Sequence, residues 1–77
     1  MTHERIKEEC RALGMKVEQR PASDRKAYVA TGRNITVYWW TSTLGGLLGL
    51  PRATVNGRDT HVRSIKEIRY LQSITDP

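Results

Sequence analysis

The chain has 77 residues, 38% of them hydrophobic and 27% charged, with a formal net charge of +5. A chain this short buries only about 60% of the surface it exposes when unfolded, which leaves room for one domain, residues 1–77, and argues against an internal catalytic cleft. The composition is too apolar for a disordered tail, and the single cysteine, Cys10, excludes an intramolecular disulfide and suits a reducing compartment.

In "THERIKEECRALGMKV", Ile6, Cys10 and Leu13 fall on one helical stripe. Thr2 stands where an N-cap belongs and Gly14 where a left-handed C-cap belongs, so helix 1 is predicted from about Thr2 to Leu13. Met15 follows the glycine, where an apolar residue folds back on the helix end. Met15 and Val17 alternate with Lys16 and Glu18, which predicts a short strand ending before Pro21. "RPASD" then reads as a turn.

"RKAYVAT" and "NITVYWWT" read as two strands of a hairpin, separated by Gly32 and Arg33. "LGGLLGLP" fits no regular element and is expected to be a loop, and "RATVNGR" supplies a fourth strand ending at Asn56 and Gly57. Ser64 and Glu67 have capping-box spacing ahead of Ile65, Ile68, Leu71 and Ile74, which marks helix 2. The expected fold is α+β: a helix, an antiparallel meander of three to four strands and a helix, with both helices on one sheet face.

Strand alternation separates Ile35, Val37 and Trp39 from Thr36, Tyr38 and Trp40. With helices covering the aliphatic face, Trp39 is expected in the core and Trp40 and Tyr38 on the open face. Tyr28, Lys26, Lys16, Arg52 and Thr54 are expected to join them there. Aromatic rings among cations suit a nucleic-acid platform, because bases stack on rings while cations hold phosphates. Leu44, Leu47, Leu48 and Leu50 form a hydrophobic segment with two readings. Either it folds over Trp40 and Tyr38 as a lid on a second small core, or residues 40–51 anchor a protein partner.

Nine of the thirteen basic residues are arginine, whose planar fork matches phosphate oxygens. Arg58, His61, Arg63, Lys66 and Arg69 crowd the start of helix 2, where free backbone N–H groups favour an anion. The alternative for these five is a solvated helix face. His3, Cys10 and His61 lack zinc-ligand spacing, Cys10 lies on an apolar stripe, and the adjacent Glu8 and Glu9 point apart on a helix. The glycines of the leucine segment lack the lysine and hydroxyl residue of a phosphate loop. The reading is therefore a non-enzymatic binding protein with no metal and no cofactor. Its expected partner is nucleic acid or a nucleoprotein complex, the alternative being a protein that it inhibits. No apolar run is long enough to span a bilayer and no leader segment is recognisable, so a cytoplasmic location without a membrane partner is expected.

Two resemblances bear on this reading. The element order and the basic start of helix 2 resemble the double-stranded RNA-binding domain, whose second helix begins with phosphate-contacting lysines. "ITVYWWTST", "ATVNGR" and "VRSIKEI", over residues 33 to 71, are similar to small proteins encoded by phages and prophages. This second resemblance implies a phage accessory factor acting in the host cytoplasm on a host nucleoprotein complex, or an anti-CRISPR-type inhibitor of defence or transcription machinery.

Overall fold

The structure is a computed structural model and describes residues 1–76. Helix α1 (His3–Ala12) leads into strands β1 (Lys16–Arg20), β2 (Lys26–Gly32), β3 (Ile35–Thr41), β4 (Leu47–Val55) and β5 (Arg58–His61), and helix α2 (Ile65–Ser73) follows. The fold is α+β. The sheet is an antiparallel meander in the order β1-β2-β3-β4-β5, five strands where three to four are expected from sequence. The added strand, β5, pairs with the end of β4 through a two-residue turn, Asn56 at φ 50 and Gly57 at φ 84. Two consecutive left-handed residues make the turn whose twist matches a hairpin.

The ends of α1 follow from its sequence. Thr2 Oγ1 accepts from the Arg5 amide at 3.3 Å. At the other end Gly14 adopts φ 82, its N–H donates to the Arg11 carbonyl, and the Met15 N–H donates to the Cys10 carbonyl at 2.9 Å. This is a Schellman closure, and it brings Met15 back onto the core. Ser64 occupies the N-cap position of α2 but makes no side-chain capping bond; the Glu67 amide instead donates to the Ser64 carbonyl at 3.2 Å. The capping-box spacing is thus present without its side-chain bonds.

The two helices run side by side in the same direction. Arg69 of α2 donates through Nε and Nη2 to Glu9 Oε1 of α1, at 3.2 and 3.0 Å, and Gln72 Nε2 donates to the Leu13 carbonyl at 2.8 Å. Both helices cover the sheet face that carries Ala30, Ile35, Val37, Trp39, Ala53 and Val55, which with Ile6, Cys10, Met15, Val62 and Ile68 form the core. Burial of Cys10 pushes its thiol pKa up to about 12, so it is a small packing residue and a poor nucleophile.

The leucine segment is strand from Leu47 onward, correcting the expected loop, and only Leu44 to Gly46 lie in a turn. Ser42 to Gly46 form the turn, and Leu47 onward pairs with β3. Tyr38 opposes Arg52 while Trp40 opposes Leu48, so Gly49, Leu50 and Pro51 together stand opposite Trp39 in a bulge. Two extra residues preserve the alternation, which keeps Leu48 on the face of Trp40. Pro51 is buried there, and its carbonyl accepts from the Val62 N–H at 2.8 Å. Leu44, at the tip of the β3–β4 hairpin, is 97% exposed.

Candidate functional site

The face of the sheet opposite the helices carries no covering element among the described residues. Antiparallel register arranges its side chains in rows across the strands. One row runs Glu18, Val29, Tyr38, Arg52, His61, and the next runs Arg20, Ala27, Trp40, Leu48. Tyr38 and Trp40 are both partly exposed, with ring centroids 5.6 Å apart and planes at 89°, an edge-to-face contact. They form the aromatic centre of the face. A third row, Lys16, Thr31, Thr36, Thr54, Asp59, is wholly polar.

The charges of this face are partly matched. Glu18 lies 3.2 Å from Lys16 Nζ and 3.3 Å from Arg20 Nη2, and Asp59 lies 4.0 Å from Arg52 Nη2 while accepting from Thr54 Oγ1 at 2.6 Å. Arg52 Nε, beside Tyr38, is buried without a hydrogen-bond partner. An unpaired donor on a charged group is costly.

Lys26 and Tyr28 do not belong to this face. Tyr28 opposes Trp39 and Lys26 opposes the buried Thr41, so both point to the helical side. Tyr28 stacks on Trp39 at 5.7 Å with an interplanar angle of 13°, and its ring centroid lies 4.3 Å from that of His3. The reason is the turn: Arg33 and Asn34 link Gly32 to Ile35, and a two-residue turn opposes even-numbered positions of β2 to odd-numbered positions of β3.

The five basic residues expected at the start of helix 2 are dispersed. His61 opposes Arg52 on the open face, whereas Arg58 opposes Val55 and so lies on the helical side of the edge strand. Arg69 is held by Glu9. Arg63 and Lys66 remain near the start of α2, where with Arg5 and Thr2 they line a shallow depression of about 390 Å³. Of the leucines, Leu47 is half-buried against the core, while Leu48 and Leu50 are 41% and 46% exposed. They extend the apolar surface toward the hairpin tip and do not fold over Trp40.

His3, a first-turn residue, has a structural role that its sequence position did not suggest. Its Nδ1 accepts from Trp39 Nε1–H at 2.8 Å, and its Nε2 lies 3.7 Å from Glu4 Oε1. Burial, with the nearby charge of Lys7, lowers the His3 pKa below its usual value of about 6.5, and Lys26 acts in the same sense while Glu4 opposes it. The folded state therefore favours the neutral ring, which alone can accept the Trp39 proton. This contribution to stability is fully present above the unfolded pKa and is lost as pH falls through the lowered folded value. The melting temperature is expected to drop between pH 7 and 5, and His3→Gln, which cannot titrate, is expected to flatten that slope.

Among the described residues, no three His, Cys, Asp or Glu side chains converge as metal ligands, and no helix is long and apolar enough to cross a membrane. Compared with family models, with the curated proteins and with the solved structures, the chain gives no match.

Proposed function

We propose that this is a non-enzymatic binding protein whose working surface is the open face of the sheet, and that its ligand is nucleic acid, free or within a nucleoprotein complex. The observation that carries the reading is the partly exposed Tyr38–Trp40 pair at the centre of an uncovered face, with Arg52 and His61 on one side and Arg20 on the other. Rings offer stacking surfaces and the flanking cations offer phosphate contacts, a combination typical of strand-binding sheets. Arg63 and Lys66 sit on the helical layer and are outside this surface. The resemblance to phage accessory proteins extends the proposal to a host nucleoprotein complex as the target.

The test is a salt titration of labelled RNA and DNA with two double variants. Three cations on the face, Lys16, Arg20 and Arg52, set an upper log–log salt slope of about 2 on a single strand. Replacing Arg20 and Arg52 by alanine is expected to weaken binding and flatten the slope. The same change at Arg63 and Lys66 is expected to leave both nearly unchanged. Absence of binding at low salt removes the reading.

A second reading has its own observation: the uncharged end of the β3–β4 hairpin, residues 40–51, leaves Leu44, Leu48 and Leu50 exposed. Exposed apolar clusters of this kind anchor protein partners, and an inhibitor of host defence or transcription machinery would use them so. Leu44→Ser together with Leu48→Ser would then abolish partner capture while sparing nucleic-acid binding.

A further inference from the structure

We infer that the open face takes an unpaired nucleic-acid strand, one base at a time, and does not take a duplex. This rests on the proposed nucleic-acid reading of that face and narrows its ligand class. The planes of Tyr38 and Trp40 stand at 89° with centroids 5.6 Å apart. Successive stacked bases are parallel, so perpendicular rings cannot serve as two steps of one staircase. In an edge-to-face pair the edge of one ring also covers a face of the other. The pair thus presents a stacking plane with a wall beside it, which fits one base placed flat on a ring.

Base faces in a duplex are already occupied by their neighbours, so only an unpaired base can reach such a plane. The charges point the same way. Duplex affinity is dominated by phosphate neutralisation, and here Lys16, Arg20 and Arg52 face Glu18 and Asp59, with Glu18 within 3.3 Å of both Lys16 and Arg20. Little positive charge is left over to hold a double row of phosphates, although it complements a single one. Both helices pack behind the sheet, so this side offers no helix to enter a major groove.

The two tryptophans give the experiment its signal. Trp39 is buried and bonded to His3, so quenching of tryptophan emission by a stacked base reports Trp40. A short single strand, the duplex of the same sequence and an abasic backbone of equal length are titrated into the wild-type protein. The single strand is expected to bind on the order of tenfold more tightly than either competitor, with quenching, because stacking is the added interaction. In Trp40→Leu the quenching and most of that preference are expected to disappear. Equal binding of the duplex or of the abasic backbone overturns the inference and leaves the proposed function standing. Binding of none of the three overturns both. The wild-type comparison decides between these outcomes whether or not Trp40→Leu folds.

Discussion

Trp39→Ala is expected to cost about 3–5 kcal/mol, against about 2 kcal/mol for Trp40→Ala, although the residues are adjacent. Trp39 is 1% exposed, stacks on Tyr28 and donates to His3 Nδ1. Truncation leaves a large cavity under both helices and an unpaired acceptor on His3. A domain this small has only about 4–11 kcal/mol of total stability, so the variant is expected to be partly unfolded at physiological temperature. Trp40 loses an edge-to-face contact with Tyr38, worth about 1 kcal/mol, and partial apolar burial worth about 1 kcal/mol more, but it leaves no enclosed cavity because it is itself partly exposed. Urea melts of the two variants measure the difference. If Trp40→Ala melts as low as Trp39→Ala, the uncovered face acts as a second core and its role as a binding surface fails.

Much of the fold was legible because several local signals agreed. Thr2, the stripe Ile6, Cys10 and Leu13, then Gly14 and Met15, specify the start, face and end of α1, and each does what its chemistry predicts. The split between Trp39 and Trp40 follows from alternation alone. The fifth strand was harder to see, because all four residues of "RDTH" are exposed and carry no apolar alternation. Its one clue was Asn56-Gly57, a hairpin dipeptide whose two left-handed positions turn the chain back on β4.

The leucine–glycine strand shows the opposite failure, of propensity. Glycines lower strand preference, but pairing with the strongly β-forming β3 sets the conformation, and the surplus residues are absorbed in the bulge at Gly49 to Pro51. For the site, sequence placed Tyr38, Trp40 and Arg52 on one face, and alternation with Lys16 carried Glu18 there as well, but Asp59 was out of reach because it lies on the unrecognised β5. The position of Tyr28 was within reach: any two-residue turn after β2 opposes it to an odd-numbered residue of β3, hence to the core. Dispersal of the basic cluster was not, because it depends on β5 and on Glu9 reaching Arg69.

Asn56→Ala is the second large effect, expected to cost about 2–4 kcal/mol although the residue is exposed. Asn34 and Asn56 hold φ of 58 and 50, and each occupies the turn of a neighbouring hairpin at the same end of the sheet. The Asn56 N–H donates to the Asn34 carbonyl at 3.0 Å, which locks the two turns together. Their side chains then hold the residues that follow α2. Asn56 Nδ2 donates to the Ile74 carbonyl at 3.1 Å, Asn56 Oδ1 accepts from the Asp76 N–H at 2.8 Å, and Asn34 Nδ2 donates to the Asp76 carbonyl at 2.9 Å. Asparagine suits both duties, since it tolerates the left-handed region and carries a donor and an acceptor. Alanine at position 56 adds about 1 kcal/mol of backbone strain and removes two hydrogen bonds worth roughly 0.5–1.5 kcal/mol each. Asn56→Gly separates the contributions, because glycine accepts the φ and supplies neither bond. Urea melts should rank wild type above Asn56→Gly and Asn56→Ala lowest, with faster amide exchange at Asp76 in both variants. Coincident melts of wild type and Asn56→Gly would mean that the bonds to the tail add nothing and that the asparagine is there for its backbone alone.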